Sequence, residues 1–530
     1  MKQFHKVKVQ KPKKSTFDLS HERKFTMNFG DLVPCFLQEV VPSDKFQVNF
    51  EAMVRLMPLL SPIIHRINVH VHFFFVPYRI LWNDFEKFIT GQNDELVFPQ
   101  FQGNFSKFAT VHPIGSLGDY LGLPSDRYEE LSASVANAPN VSQMPFRAYY
   151  KIWYDYYRDQ NLQTGATADD PNETIAPYGG IVNVDDDGSY VNINMLRKRA
   201  WEKDYFTSCL PSAQRGDAVT FPLLGSAPVE GRPNLYDVDE DGYMSGGSAI
   251  GTGPDKGLAG EDYTYMHKVR MQNALGNTDP LVANLDEAAS TTVNDLRRSF
   301  ALQRWLEKSM RMGERYAEQL LSRFGVKSSD ARLQRPEFLG GGKLPVQIAE
   351  VVQSSQTDTT PQGTLTGKSL TGGRVNGFTR FFEEHGIVLG IMSITPRTAY
   401  QQGIPRIFSK FDKFDYLEPM FAHIGEQEVT KKELFVGESG QDDVFGYQER
   451  YAEYRFAFDS VHGTMRDSLD FWHMGRKFSV LPSLSEDFIV IDNTTTNRPF
   501  PVEFTEDKII VQTYADVKAI RPLPKFGTPI

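Results

Sequence analysis

The amino-acid sequence predicts a mainly β protein whose strands are divided between the two ends of the chain, with long loops and helices inserted between them. The 530 residues include 39 phenylalanines, 41 glycines and 31 prolines, a mixture typical of strands separated by many turns. Apolar and polar residues alternate over 46–50, 67–76 and 509–514, which is the period of a half-buried strand. This pattern alone does not distinguish a jelly roll from another β sandwich.

The N-terminal residues 1–24 are predicted to form a basic, flexible arm. Six of the first fourteen residues are lysine and none is acidic, whereas the whole chain carries a net charge of −10. A basic tail on an acidic body favours contact with a polyanion, although a terminus that is simply solvated fits the same residues. The lysines concerned are Lys2, Lys6, Lys8, Lys11, Lys13 and Lys14.

An aromatic helix is predicted from the segment FRAYYKIWYDYYRDQNL, residues 146–162. Pro145 suits the first turn of a helix and Asn161 suits its end. Because aromatic residues cover most of its circumference, the helix must lie between other elements or against another chain. An ordinary core helix and an assembly element both remain open. The side chains expected to provide subunit packing are Phe146, Tyr149, Tyr150, Trp153 and Tyr157.

Two further segments of the sequence, after the aromatic helix, are predicted to be insertions between the strands. Residues 225–290 are rich in Gly, Ser, Asp and Asn, and residues 230–287 hold eleven acids against four bases. Such a stretch predicts an acidic surface protrusion inserted into the main domain, because long loops of this composition carry function or stay unpacked. Residues 293–324 place apolar side chains at steps of three and four, which predicts one long helix ending at Gly325.

Two ligand-binding signals fail on their spacing. The segment QGTLTGKS, residues 362–369, resembles a phosphate-binding loop, but Gln362 stands where that loop needs glycine and no helical pattern follows. The segment DVDEDG, residues 237–242, begins like a calcium loop, but its twelfth position is Ser248 rather than glutamate. A solvated acidic turn is the simpler interpretation there, and a partial cation site stays open.

No catalytic residue, metal site or cofactor is predicted elsewhere. His70 and His72 share one side of a strand, but no third ligand is indicated. The chain has two cysteines, Cys35 and Cys209, which fit a protein made in a reducing cytoplasm. Cys209 has no identifiable base and is expected to be a small buried residue. No apolar run of eighteen residues predicts a membrane span, and no signal-peptide pattern opens the sequence.

Several segments together resemble one protein family. They are NFGDLVP (28–34), PFRAYYKIWYDYYRDQNL (145–162), DYFTSCLPSAQRG (204–216), FDYLEPMFAHIGEQ (414–427), FGYQERYAEYRF (445–456) and RPLPKFGTP (521–529). They occur in order along nearly the whole chain. The sequence is thereby similar to the major capsid proteins of Microviridae, the small icosahedral single-stranded DNA bacteriophages, and most of all to the gokushovirus-like branch. Residues 225–290 lie outside the matching segments.

The resemblance implies a single eight-stranded antiparallel jelly roll spanning residues 25–530, with long loop and helical insertions. It also implies self-assembly into pentamers and then a closed shell, which uses repeated contacts around symmetry axes. The expected partners are packaged single-stranded DNA, a small basic DNA-binding protein, a minor DNA-pilot protein and a host surface receptor, with no membrane. The lysine arm would contact the DNA, and residues 225–290 would serve host attachment. The protein would be located in the virion, which would be assembled in the bacterial host cytoplasm.

Two other classes of protein fit the sequence less well than a capsid subunit does. A lectin-type sandwich that binds carbohydrate predicts a leader peptide and often disulfides or a calcium site, none of which the sequence indicates. An enzyme on a jelly-roll scaffold needs an acid, base or metal constellation, and none was identified. The sequence therefore predicts a structural protein rather than an enzyme.

Overall fold

The computed structural model describes residues 13–92, 96–101, 114–124, 141–163, 181–183, 190–192, 195–217, 219, 229–230, 234–236, 270–272, 282–283, 293–313, 315–356, 361–437, 439–501 and 507–526. Its main strands are β1 (Ser15–Asp18), β2 (His21–Met27), β3 (Val33–Val40), β4 (Lys45–Leu56), β5 (Ile67–Pro77), β6 (Glu337–Pro345), β7 (Thr371–Phe381), β8 (Gly386–Pro396) and β9 (Ile509–Arg521). The described part of the chain is mainly β, as predicted.

These strands form two antiparallel sheets. In the first sheet, β1 and β2 both pair with β9, and the order continues through β4 to β7. In the second sheet the order is β6, β5, β8 and β3. Each sheet thus combines strands from both ends of the sequence. This arrangement is consistent with a jelly roll.

The main core lies between the two sheets. Alternate residues of β4 point inward, and the Phe50 ring meets the Phe73 ring of β5 at a centroid distance of 5.3 Å. The Phe73 ring also packs against Phe378 of β7 at 5.5 Å. Since β4 exposes its other residues, the first sheet has one buried and one outward face, which the period-two pattern predicts.

A second core covers the outer face of the second sheet. Strand β8 is buried along its whole length and β5 along nearly all of it, so both strands are covered on both faces. The cover is helix α3 (Met144–Ile152), which continues as a single π-helical segment, Trp153–Tyr157. Pro145 lies in its first turn as predicted. The aromatic helix is therefore fixed to the sandwich by its own chain.

The remaining helices are short, apart from one. They are α1 (Phe85–Ile89), α2 (Leu117–Leu121), α4 (Val293–Met312), α5 (Tyr316–Phe324), α6 (Glu486–Ile489) and α7 (Asn493–Asn497). The 3-10 turns span Tyr78–Ile80, Arg406–Ser409, Lys413–Asp415, Pro419–Phe421, Lys431–Glu433, Ala452–Tyr454, Gly463–Arg466 and Asp470–Trp472. No helix in the described ranges is both long and apolar enough to cross a membrane.

Short strands pair outside the two sheets. The pairs are Gln100–Phe101 with Val141–Ser142, Ile181–Asn183 with Tyr190–Asn192, Ile348–Val352 with Leu365–Ser369, Ala399–Tyr400 with Asp459–Ser460, and Glu426–Thr430 with Val444–Glu449. Residues 397–508, between β8 and β9, form a C-terminal insertion. A third apolar cluster includes Tyr400 and Leu434 of this insertion together with Phe206.

Residues 214–308 form a compact unit of their own. It contains the range 225–290 predicted as an acidic protrusion. Within it the structure describes the strand pairs Val229–Glu230 with Val282–Ala283 and Asn234–Tyr236 with Arg270–Gln272. The calcium-like segment 237–242 and Ser248 lie outside the described residues.

The structure differs from two of the predicted segment boundaries. Strands β1 and β2 occupy most of the second half of the predicted arm 1–24, so the chain is already held in the sheet from Ser15. The single helix predicted over 293–324 is wrong, because the helix stops at Met312 and restarts at Tyr316. Gly313 between them has φ +83°, a left-handed conformation that ends a helix and favours glycine.

Candidate assembly surface

The segment 404–424 carries the most conspicuous exposed apolar surface among the described residues. Phe411 is 89% exposed and Met420 is 82% exposed. The other large apolar side chains that this segment exposes are Ile404, Ile407, Phe408, Phe414, Tyr416, Leu417 and Ile424. Monomeric proteins rarely leave so many large apolar residues uncovered in one place, and such a patch marks an interaction surface.

The irregular backbone of this segment explains why these side chains stay outside a core. Pro405 and Pro419 start two of its three 3-10 turns, and no turn is longer than four residues. Around the middle turn, the Asp415 carboxylate accepts hydrogen bonds from the backbone N–H groups of Phe411 and Asp412, at 3.0 and 2.9 Å. These bonds lower the pKa of Asp415. No continuous helix face or strand face forms that could turn the apolar residues inward.

A buried ion pair anchors the start of the segment. The Arg406 guanidinium lies 3.2 Å from the Glu433 carboxylate and also donates to the Glu428 carbonyl at 2.7 Å. The other carboxylate oxygen of Glu433 accepts a hydrogen bond from the Tyr205 hydroxyl at 3.1 Å. Burial raises the pKa of Glu433, and the Arg406 charge opposes that shift. Breaking such a pair leaves an uncompensated buried charge, so it holds the local backbone in place.

A second buried cation fixes the centre of the segment. The Lys410 side chain is 6% exposed and lies 3.1 Å from the Glu453 carboxylate. It donates to the Tyr454 hydroxyl at 2.9 Å and sits 4.0 Å from the centroid of that ring. Charge pairing and the ring quadrupole act on the same ammonium group. The apolar side chains next to Lys410 are therefore presented from an ordered base.

Two hydrogen bonds fix the second half. Arg450 donates to the Phe414 carbonyl at 2.9 Å, and the Glu418 N–H donates to the Tyr451 hydroxyl at 3.2 Å. The rings of Phe414 and Phe421 meet edge to face at 5.7 Å. The segment is thus held along its length by groups of the C-terminal insertion, while its apolar side chains face outward.

The five aromatic residues predicted to provide subunit packing lie mainly in the second core of the same chain. Phe146, Tyr149, Tyr150 and Trp153 are each buried, and Tyr157 is partly buried. The Tyr149 hydroxyl donates to the Leu32 carbonyl at 2.8 Å. A contact of these residues with another copy stays a prediction.

The predicted lysine arm is only partly described. Lys2, Lys6, Lys8 and Lys11 lie outside the described residues. Lys13 is exposed, and the Lys14 ammonium donates to the Ser43 carbonyl at 2.8 Å and lies 5.2 Å from the Phe381 ring centroid. Lys14 therefore contacts the sheet, and its predicted contact with DNA is untested.

The paired histidines have protein partners. His70 Nε2 lies 3.4 Å from the Glu202 carboxylate, and His72 Nδ1 lies 2.7 Å from the Tyr157 hydroxyl. Burial lowers the pKa of His72 to about 4, so its imidazole is neutral at pH 7. The described residues contain no group of three or more His, Cys, Asp or Glu side chains that could hold a metal ion. Cys35 and Cys209 are both free and buried, and burial raises the pKa of each.

Sequence reasoning missed the role of the 404–424 segment, although a signal was present. Phe408, Phe411 and Phe414 recur every third residue among lysines and aspartates, between Pro405 and Pro419. That period suits neither an α-helix nor a strand, and the frequent charges argue against a loop buried in a core. Large apolar residues in a stretch that cannot bury them indicate a contact surface.

Comparison with known proteins identifies the family of the chain. A family model described as Capsid protein (F protein) matches residues 5–530. The chain belongs to this capsid protein family. Its relatives include capsid protein VP1 of Chlamydia phage 1, at 35% identity over 99% of this chain and 97% of the relative. Capsid protein VP1 of Bdellovibrio phage phiMH2K is 34% identical over 97% and 95%, and that of Spiroplasma virus 4 is 30% identical over 97% and 95%.

These matches confirm the resemblance to Microviridae major capsid proteins on which the functional prediction rests. The protein is a major capsid protein, and the matches extend over nearly the full chain. A capsid protein assembles with copies of itself into a shell that encloses a genome.

Proposed function

We propose that this capsid protein builds an icosahedral shell of pentamers and that the 404–424 segment is a main contact between copies. The observation that carries the proposal is the combination of Phe411 and Met420, almost fully exposed, with two anchoring cations, the partly buried Arg406 and the buried Lys410. A rigid apolar surface loses little entropy on binding, so most of its buried area contributes to association. Exposed aromatic and Met residues of this kind are typical interface anchors.

The fold we propose for the subunit is a single eight-stranded jelly roll. Counting β1 and β2 as one interrupted strand, the first sheet has the order β1/β2, β9, β4, β7 and the second has β6, β5, β8, β3. Consecutive strands alternate between the sheets except for β5 and β6, which pair within the second sheet, and this order supports two Greek keys. The insertion between β5 and β6 and the insertion between β8 and β9 supply the side surfaces that a sandwich lacks.

Phe411→Asp tests the contact. A charge in the centre of an apolar interface should abolish shells and pentamers, since it would be buried without a partner. Unfolding should be unchanged, because Phe411 makes almost no contact within its own chain. Analytical ultracentrifugation and negative-stain microscopy measure the assembly, and Thr379→Asp on the exposed edge of β7 is a control. If the Phe411→Asp variant formed shells as the wild type does, this contact would be excluded.

The N-terminal lysines are proposed to contact packaged single-stranded DNA. Six positive charges support non-specific phosphate contacts, which release counterions and need no base reading. Deleting residues 1–12 leaves Lys14 on the sheet. We expect particles of this variant to contain less DNA, measured from the ratio of nucleic-acid absorbance to protein absorbance. Full-genome particles from the deletion would contradict the role.

Residues 225–290 are proposed to form an acidic protrusion that serves host attachment through a surface receptor. Their acidity and the separate compactness of residues 214–308 support this assignment. Limited proteolysis of intact particles should cut between 225 and 290 first. Protection of this range in particles, together with cleavage in free subunits, would indicate a buried position instead.

The role is proposed to be structural, with no catalytic step. The virion is the proposed location, after assembly in the bacterial host cytoplasm. A small basic DNA-binding protein and a minor DNA-pilot protein are the proposed co-packaged partners, because six lysines in one arm are few against the charge of a genome.

A further inference from the structure

A cavity opens beside the π-helical end of the aromatic helix. Its volume is about 560 Å³, within the range of small-ligand sites. The helix contributes Tyr156 and Tyr157, and strands β5 and β6 contribute His72 and Phe338. The loop before β6 contributes Lys327, Asp330 and Arg335, and Arg199 comes from a separate loop. The cavity therefore combines aromatic rings with several charged groups.

The charges around this cavity do not balance. Three cations line it, Arg199, Lys327 and Arg335, against one carboxylate, Asp330. That carboxylate is already paired with Arg335, whose Nε lies 2.6 Å away. Within the described part of the chain, neither Lys327 nor Arg199 has an ion-pair partner. The Arg199 guanidinium donates to the Ser393 hydroxyl at 2.8 Å, and the more distant Glu202 carboxylate favours its charged form. Burial lowers the pKa of Arg199, so an anion in the cavity would offset its desolvation.

One aromatic ring of the cavity is both exposed and held by its neighbours. The Phe338 ring is half exposed, and it meets the rings of Phe74 and His72 edge to face, at centroid distances of 5.5 Å and 6.0 Å. The guanidinium of Arg335 lies 5.2 Å from the Tyr156 ring centroid. A half-exposed aromatic ring in the wall of a cavity can stack a nucleobase, and adjacent cations can bind its phosphate.

A second cavity continues along the same helix. It has a volume of about 460 Å³ and shares Arg335 with the first. Its walls include Tyr154 and the cations Lys151, Arg158 and Arg315, with Asp155 as a carboxylate. The Arg158 guanidinium lies 4.3 Å from the Tyr154 ring centroid. The basic and aromatic character therefore extends beyond one pocket, as a track for a chain of nucleotides would require.

We propose that these two cavities form a binding groove for single-stranded nucleic acid, with one base stacked on Phe338 and its phosphate held by Lys327 and Arg199. The inference rests on the proposed enclosure of DNA but concerns a site separate from the N-terminal lysines. An acidic peptide would satisfy the cations and would leave the supported ring unused. For this reason the groove fits a nucleotide strand better than a protein segment.

Fluorescence anisotropy with a labelled single strand of about ten thymidines tests the groove in the full-length protein. Phe338→Ala should weaken binding by about 5- to 100-fold, the range of one lost stacking contact. Lys327→Ala should lower the slope of log affinity against log salt by about 0.7, the value for one phosphate contact on a single strand. The controls are Phe456→Ala, whose side chain is about as exposed as that of Phe338, and Lys368→Ala, an exposed strand lysine. Both should bind as the wild type does.

Competitors identify the occupant. Unlabelled single strands should displace the probe, whereas thymidine monophosphate and an oligoglutamate peptide should do so far more weakly. Equal competition by the mononucleotide would assign the groove to free nucleotides, and preferential competition by oligoglutamate would assign it to a protein partner. Either result overturns the proposal.

Particle assembly is measured in parallel to keep the two proposals apart. Shells from Phe338→Ala and Lys327→Ala at wild-type yield, with weakened strand binding, support the groove. Wild-type binding by both variants overturns the groove and leaves the capsid function intact. Where a variant loses assembly, photo-crosslinking of a single strand to the wild-type protein decides: crosslinks at Tyr156 or Phe338 support the groove, and crosslinks confined to other positions exclude it.

Discussion

The aromatic helix and the 404–424 segment have similar residue types and opposite environments. Phe146, Tyr149 and Trp153 of the helix are buried under the chain's own second sheet. Phe411 and Met420 of the segment are exposed. A regular helix groups its apolar side chains over a wide face, and a sheet of the same chain covers that face. The turns of the segment direct its side chains outward, and its buried cations hold the backbone in that form.

The difference shows that aromatic content alone does not identify a contact between subunits. What distinguishes the two regions is whether the chain's own elements cover the rings. A second criterion for a contact surface is that the exposed segment is anchored. In the 404–424 segment, buried groups such as Lys410 fix the backbone, so that the apolar side chains stay exposed to water. Four substitutions measure the contrast.

Trp153→Ala should have the largest effect on stability. Trp153 is 2% exposed, and its ring also carries the Arg197 guanidinium at 4.5 Å. Removing it should lower the free energy of unfolding by about 3–5 kcal/mol, the cost of a large cavity. Thermal and denaturant unfolding measure this loss, and Trp305→Ala, at a half-exposed tryptophan, should cost much less. Equal losses would mean that the helix is not part of a core.

Lys410→Ala should have the next largest effect, on the base of the exposed segment. It leaves the Glu453 carboxylate buried without its cation, which should cost about 3 kcal/mol. Hydrogen exchange should show faster opening of residues 404–424, and assembly should fail with it. Lys413→Ala removes an exposed lysine from the same segment and should leave the hydrogen exchange of residues 404–424 unchanged. Unaltered exchange in the Lys410 variant would mean that the pair does not order the segment.

The stability of the protein should depend on pH because His72 is buried. The folded pKa of His72 is about 4, below the 6.5 of an unperturbed histidine, because burial disfavours its charged form. The unfolded state therefore binds a proton first as pH falls. The resulting stability is present above about pH 6.5 and is lost towards pH 4, with about 2 kcal/mol gone by about pH 5.

His72→Gln should reduce this loss, since glutamine can still bond the Tyr157 hydroxyl and does not titrate. Unfolding free energies at several pH values provide the measurement, and the exposed His423→Gln should retain the wild-type profile. A wild-type slope in the His72 variant would assign the pH dependence to other groups, of which buried His65 is the first candidate.

Met420→Ala should have the smallest effect on the stability of the single chain. An 82% exposed side chain lies outside any core, so the free energy of unfolding should change by less than about 0.5 kcal/mol. Association between copies should nevertheless weaken. On dilution, pentamers and shells of the variant should dissociate at a protein concentration about tenfold higher than that at which wild-type particles dissociate. Light scattering during dilution measures this shift. A stability loss without an assembly change would reverse the assignment of the two regions.

Much of the sandwich could be predicted from local pattern. The alternation over 46–50 and 509–514 corresponds to strands β4 and β9, and Pro145 begins the aromatic helix. The long helix over 293–324 was wrong at Gly313, since an apolar stripe reports which side chains share a face and does not report a break in the backbone. The two sheets themselves join residues hundreds of positions apart, which no local pattern specifies.

The sequence by itself determined the class of structure, the capsid family and the positions of the main strands, because side-chain periodicity and family motifs are local properties of the chain. Tertiary structure alone decided which aromatic residues the molecule covers and which it leaves exposed. It also decided that Arg199, Lys327 and Phe338, distant in sequence, line one cavity. The physical reason is that burial depends on what the rest of the chain places against a residue, and a single segment does not contain that information.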